Sequence, residues 1–298
     1  GIGKGDEVIL PALTFVATAN SVAYTGAKVV LVDVTRESWT LDPDLLAKTV
    51  TPKTKAIIGV HLYGHPFDID RVMDIAHRHD IIVIEDAAEA HGSLYKGKRG
   101  GALADIGCFS FYGNKVVTTG EGGMVTTNSA ELDDRIRFLR DHSMDPKVRY
   151  FHPELGFNYR MTNMQAAVGR AQMKRISRTV SAKRRVAGLY RKKLSGIAGI
   201  ELPPEQPWAR SVFWLFSIML KPDYGLDPSG LAARLKKQGI ETRPIFIPMN
   251  QLPMYKSRRR FPVSDLVSDR GLSLPSSPSL TEEDIDYICS TIQTAGKS

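Results

Sequence analysis

Apolar residues in the first half of the chain fall in short, nearly unbroken runs, and stretches with helical spacing separate them. Val8–Leu10, Lys28–Val32, Ala56–Val60 and Ile81–Ile84 are predicted strands, and Thr18–Tyr24, Pro43–Val50 and Ile69–His79 are predicted helices between them. Asp42 is placed to cap the second helix, with Pro43 at its first position. Continuous runs of this kind suit strands buried on both faces, so the order predicts a mostly parallel sheet between helices. Further on, Cys108–Tyr112 and Met124–Thr127 read as strands and Ala130–Asp141 as a helix. From Asn163 to about Lys193 the pattern is that of long helical structure joining two regions.

The pattern then changes. Val212–Leu220 is a predicted apolar strand, Asp227–Gln238 a helix, Glu241–Arg243 the start of another strand and Glu282–Gln293 an amphipathic closing helix. Residues 1–175 are thus expected to form a large domain, and 176–298 the linking helix and a small α+β domain. Gly1–Gly5 has a G-x-G-x-G spacing but precedes a strand, whereas a dinucleotide fingerprint follows one. It reads as a loop, and the natural chain is expected to begin earlier.

The bulk numbers narrow the function classes. Of 298 residues 42% are hydrophobic, enough for a real core, and no apolar run approaches the length of a membrane helix. Two cysteines are too few for a disulfide framework and fit a reducing cytoplasm. The net charge of +8 owes much to Lys183–Arg185, Arg191–Lys193, Lys256 and Arg258–Arg260. These clusters read as a solvated helix face and a charged loop. No aromatic interleaving or module supports a nucleic-acid reading, and an anionic small molecule such as a diphosphate is the more economical partner. The histidines show no spacing for a metal.

Candidate chemistry gathers at the predicted strand ends. Lys115 lies between the Cys108–Tyr112 run and the glycine-rich turn Gly120–Gly123. It is either an ordinary loop lysine or one that loses solvation and captures a carbonyl. Asp86 ends the run IIVI, where a carboxylate serves as a cap, a metal ligand or the partner of a protonated ring nitrogen. Phe15 follows the first strand, and Ser110 offers a hydroxyl five residues before Lys115. An amine, a carboxylate, an aromatic ring and phosphate donors are together what pyridoxal phosphate requires. No G-x-S-x-G or P-loop lysine motif competes.

The segments GDEVILPALTFVATANSVAYTGA, VHLYGHPFDID, IEDAAEAHGS, FSFYGNKVVTTGEGGM, LGFNYRMTNMQAA and ETRPIF…LPMY run in order over nearly the whole chain. In them the sequence resembles the DegT/DnrJ/EryC1/StrS sugar aminotransferases, which have the fold type I (aspartate aminotransferase-like) α/β architecture. The resemblance implies a cytoplasmic homodimer using pyridoxal phosphate, with pyridoxamine phosphate as the intermediate form and glutamate as donor. Lys115 would be the Schiff-base lysine and proton shuttle, Asp86 the partner of the ring nitrogen, and Glu89 a neighbour of the phenolic oxygen. Phe15 would stack on the ring, Ser110 would bind the phosphate, and Asn158 would reach the phosphate in the neighbouring subunit. The G-N-K form and RYFHPELGFNYRMTN are most similar to members acting on GDP-linked sugars. GDP-4-keto-6-deoxymannose, aminated to GDP-perosamine, is the leading substrate, with other GDP-, dTDP- or UDP-ketosugars as alternatives. A non-catalytic regulatory relative is the rival reading, and a dehydratase subgroup carries histidine in place of the lysine. An earlier phosphate-binding segment of the family lies outside this sequence, and Asn250 stands where related enzymes tend to carry histidine.

Overall fold

A computed structural model describes residues 1–296; the last two positions of the predicted second domain lie outside the described residues. The elements in chain order are β1 (Glu7–Pro11), α1 (Val16–Tyr24), β2 (Lys28–Val32), α2 (Pro43–Thr49), β3 (Thr54–Val60), α3 (Ile69–Arg78) and β4 (Ile82–Asp86). Two short strands follow, β5 (Leu94–Tyr95) and β6 (Lys98–Arg99), then β7 (Ile106–Ser110), β8 (Gly123–Thr127), α4 (Ala130–Arg140), α5 (Asn163–Met173) and α6 (Ile176–Leu194). The remainder comprises β9 (Ile200–Glu201), β10 (Ala209–Arg210), β11 (Phe216–Leu220), α7 (Pro228–Lys237), β12 (Arg243–Pro244), α8 (Pro262–Arg270), β13 (Gly271–Leu274) and α9 (Glu282–Ala295).

The main sheet has the order β2-β1-β3-β4-β7-β8, parallel except for the β7–β8 pair. Alternation along each strand feeds two cores. Ile9 and Ile57 pack on one face with Leu46, Phe67 and Val72, while Val8, Leu10 and Ile58 pack on the other with Ala19 and Val22 of α1. Gly59 is required by this packing: a Cβ there would lie 2.3 Å from the Phe67 ring. Asp42 caps α2 through Asp44 N and Leu45 N.

A second sheet, β12-β13-β11-β9, packs against α6, α7 and α9 around Tyr190, Phe216, Leu231 and Ile285. The two regions are tied at several points. The Asp33 carboxylate, just past β2, accepts from Val263 N and Ser264 N at 2.9 Å and so holds the start of α8.

The structure corrects three expectations. The apolar run Val212–Leu220 is a strand only from Phe216. Val212 N and Trp214 N instead donate to Gly64 O and Tyr63 O, and Phe213 has a φ of 47°. This segment leaves the sheet to line the turn at Tyr63–Gly64. The long helical stretch is two helices, interrupted at Lys174–Arg175, where Arg175 has φ −108° and ψ 0°. Lys183 is not on a solvated face: only 6% of it is exposed.

Candidate active site

The carboxyl ends of parallel strands are where α/β sheets collect ligands. Here the end of β4, the residues following β1 and the loop after β7 open on one cavity of about 840 Å³. Phe15, Asp86, Glu89, Ser110 and Lys115 all line it. Asn158, the sixth residue singled out from sequence, does not. It is exposed and its backbone bridges Asp141.

Neighbouring residues of one strand face opposite ways, and this separates Glu85 from Asp86. Glu85 is fully buried away from the cavity, where it meets His61 Nε2 at 2.9 Å and accepts from the amides of Gly101, Leu103 and Ala104. Burial pushes its carboxyl up, but the His61 contact and the amides outweigh this and hold it below the usual range. Asp86 turns to the cavity. Its Oδ2 accepts from Thr18 Oγ1 at 2.7 Å and its Oδ1 from Ala88 N at 3.1 Å, and Thr14 Oγ1 lies 3.0 Å from Thr18 Oγ1. Two donors fix the carboxylate in place.

Lys115 leaves the sheet through the turn closed by Lys115 N on Tyr112 O. Its side chain is 12% exposed. The Nζ lies 3.7 Å from Glu89 Oε1 and 4.0 Å from the centre of the Trp214 ring. Trp214 Nε1 donates to Asn114 O, so the indole is held over the lysine by the lysine's own loop. The ammonium is thus desolvated between an aromatic face and one carboxyl group. Sequence reasoning missed Trp214 because it reads as mid-strand there.

Glu89 is buried, and its Oε2 accepts from Tyr63 N at 2.7 Å. Burial raises its pKa to about 7, against the opposing pull of Lys115 and Tyr63 N, with Asp86 adding to the rise. The folded value lies above the unfolded one of 4.5. This contribution to stability is therefore complete below the unfolded value and is lost as pH rises through about 7. Glu89→Gln removes the titration. In cofactor-free protein, the parental chain is expected to lose on the order of 1–3 kcal/mol relative to this variant between acid and mildly alkaline pH. Thermal midpoints measured against pH check this, and parallel profiles would refute it.

The aromatic wall continues outward. Phe15 is 54% exposed and packs at 5.4 Å on Phe246, which lies 5.2 Å from Tyr63. The open half of the Phe15 ring is surface on which a flat heterocycle can lie. Ser110 Oγ accepts from Tyr112 N, which leaves its own O–H free to donate to an anion. The donor set therefore fits pyridoxal phosphate: a desolvated amine, an anchored carboxylate, an open ring and a free hydroxyl donor. The cavity is also within the usual size range for such ligands. Among the described residues, no cluster of three metal-binding side chains competes for the site.

A model of the DegT/DnrJ/EryC1/StrS aminotransferase family matches residues 1–293. A GDP-perosamine synthase of Caulobacter vibrioides is 45% identical over 295 residues, covering 98% of this chain and 80% of that protein. The structure of DesV from S. venezuelae superposes with a TM-score of 0.94 at 35% identity, covering all of this chain and 80% of that one. The Spr1654 protein of Streptococcus pneumoniae in its PLP-form matches with a TM-score of 0.92 at 27% identity, over 99% of this chain and 82% of that one.

Proposed function

The chain belongs to the DegT/DnrJ/EryC1/StrS aminotransferase family, and on that premise we propose that it aminates a nucleotide-linked 4-keto-6-deoxy sugar in the cytoplasm, with glutamate as donor. The substrate pair is GDP-4-keto-6-deoxymannose and GDP-perosamine. The observation that carries the reading is the joint placement of Lys115 and Asp86 in one cavity at the strand ends. The 45% identity to a GDP-perosamine synthase supports the choice of sugar, which the fold alone would not make.

Pyridoxal phosphate, when bound, supplies a carbonyl that captures amines and a ring that takes up electrons. The chain's residues divide the remaining work. Lys115 would hold the group through Nζ, and its free amine would serve as the base that takes up a proton and returns it. The Asp86 carboxylate favours a protonated ring nitrogen, because a fixed negative charge stabilises the positive one. Phe15 would hold the ring plane, Ser110 would donate to the phosphate, and Glu89 would face the phenolic oxygen. The Trp214 ring covers one side of the amine.

A panel of GDP-, dTDP- and UDP-linked ketosugars with glutamate, read by product mass, tests the reading. Amination of the GDP-linked 4-ketosugar is expected. Turnover of only dTDP- or UDP-linked sugars would overturn the substrate, and no turnover at all would overturn the activity.

The active form is proposed to be a homodimer in which Asn158 serves the partner's site, in keeping with its exposure and its absence from the lining of its own cavity. Each site then needs Lys115 of one chain and Asn158 of the other. Subunit exchange between Lys115→Ala and Asn158→Ala proteins makes about half the dimers mixed, each with one complete site. Activity is expected to recover toward roughly a quarter of the parental value. Activity that stays at the average of the two separate variants after verified exchange would place Asn158 outside the partner's site.

A further inference from the structure

Lys183 is the anomalous cation of α6. Its neighbour Arg184 bonds Glu205 and Ser211 O, and Arg185 reaches Leu280 O. Lys183 points inward instead, with 6% of its surface exposed, and lines the same cavity as Lys115. Its Nζ donates to Ser276 O at 2.6 Å, and no carboxylate of the described residues lies within 4.0 Å of it.

An ammonium has three N–H donors, and a single carbonyl satisfies one. A buried charge without a counter-charge is costly, and a protein either neutralises it or provides an anion. Burial lowers the Lys183 pKa to about 8. Arg243, Ser276 and Ser277 line both this cavity and an adjoining one of about 440 Å³, which extends the cationic, hydroxyl-bearing wall beyond Lys183.

We propose that Lys183 is the cationic anchor for an anionic oxygen group of a substrate, either a carboxylate of the amino donor or the diphosphate of the nucleotide sugar. The choice of these two sources rests on the function proposed above; the need for an anion rests on the geometry. Lys183 binds and orients the substrate and takes no part in proton transfer at the reacting carbon.

The test measures binding without turnover. 2-Oxoglutarate and GDP are titrated by calorimetry into cofactor-loaded parental protein and into the Lys183→Met and Lys183→Gln variants. The glutamine keeps a donor for Ser276 O but carries no charge, and so separates the charge from the structural bond if the methionine variant folds poorly. Both variants are expected to weaken one of the two ligands about tenfold or more. Loss confined to 2-oxoglutarate identifies the carboxylate, and loss confined to GDP identifies the diphosphate. Parental affinity for both ligands, with or without a lower melting temperature, would overturn the proposal and leave Lys183 a structural tie to Ser276. A parental protein that binds neither ligand would overturn it as well. Binding through Lys183 in a protein that aminates no nucleotide ketosugar would overturn the functional reading alone.

Discussion

Lys115→Ala is expected to lower turnover by at least roughly a thousandfold, because one truncation removes both the covalent anchor and the proton carrier. The fold should survive. Lys115 contributes a cation between Glu89 and Trp214, and Glu89, already raised to about 7 by burial, can take up a proton when the cation is gone. Lys115→Arg separates chemistry from structure. It keeps a positive charge beside Glu89 and over the indole, yet its guanidinium does not act as an amine nucleophile. Both variants should melt near the parental temperature and both should be inactive in steady-state assays with glutamate. Near-parental turnover in either one would remove Lys115 from the reaction.

Asp86→Asn is expected to cost about a hundredfold or more in turnover, close to 3 kcal/mol of barrier, while most of the cofactor affinity remains. The substitution is nearly isosteric. Its carbonyl oxygen still accepts from Ala88 N, and Thr18 can reorient its hydroxyl toward Thr14, 3.0 Å away, to receive the new amide donor. What is lost is the fixed negative charge, and with it the preference for a protonated ring nitrogen. Cofactor absorbance and turnover, measured on one preparation, separate the two effects. A variant that retains cofactor and turns over at the parental rate would leave Asp86 as a cap for the Ala88 amide.

Much of this site was legible in the sequence, for a physical reason. Strand ends of a parallel sheet follow apolar runs, so Asp86 after IIVI could be placed at the ligand edge before any coordinates. Phe15 and Lys115 are read by the same rule, and Ser110 from its place five residues before Lys115. The rest depends on contacts between distant segments. Trp214 reaches Lys115 because Val212 and Trp214 bond to the turn at Tyr63–Gly64, about 150 residues earlier. That tie delays the start of β11 to Phe216, where the apolar run alone suggests four strand residues before it. Lys183 was the avoidable miss. Val180, Lys183, Ala187, Tyr190 and Leu194 recur at spacings of three and four and form the buried stripe of α6. The lysine belongs to that stripe, although the basic residues beside it suggest a solvated face.

The most direct measurement follows the nitrogen. Protein loaded with pyridoxal phosphate is supplied with glutamate carrying a heavy nitrogen isotope in its amino group, together with GDP-4-keto-6-deoxymannose. The sugar nucleotide is then isolated and its mass and carbon–nitrogen connectivity are read. The expected result is a GDP-linked 4-amino sugar with the heavy nitrogen at carbon 4 and one equivalent of 2-oxoglutarate, both absent with Lys115→Ala. Unchanged ketosugar, or an aminated product without the label, would contradict transfer from glutamate by this chain.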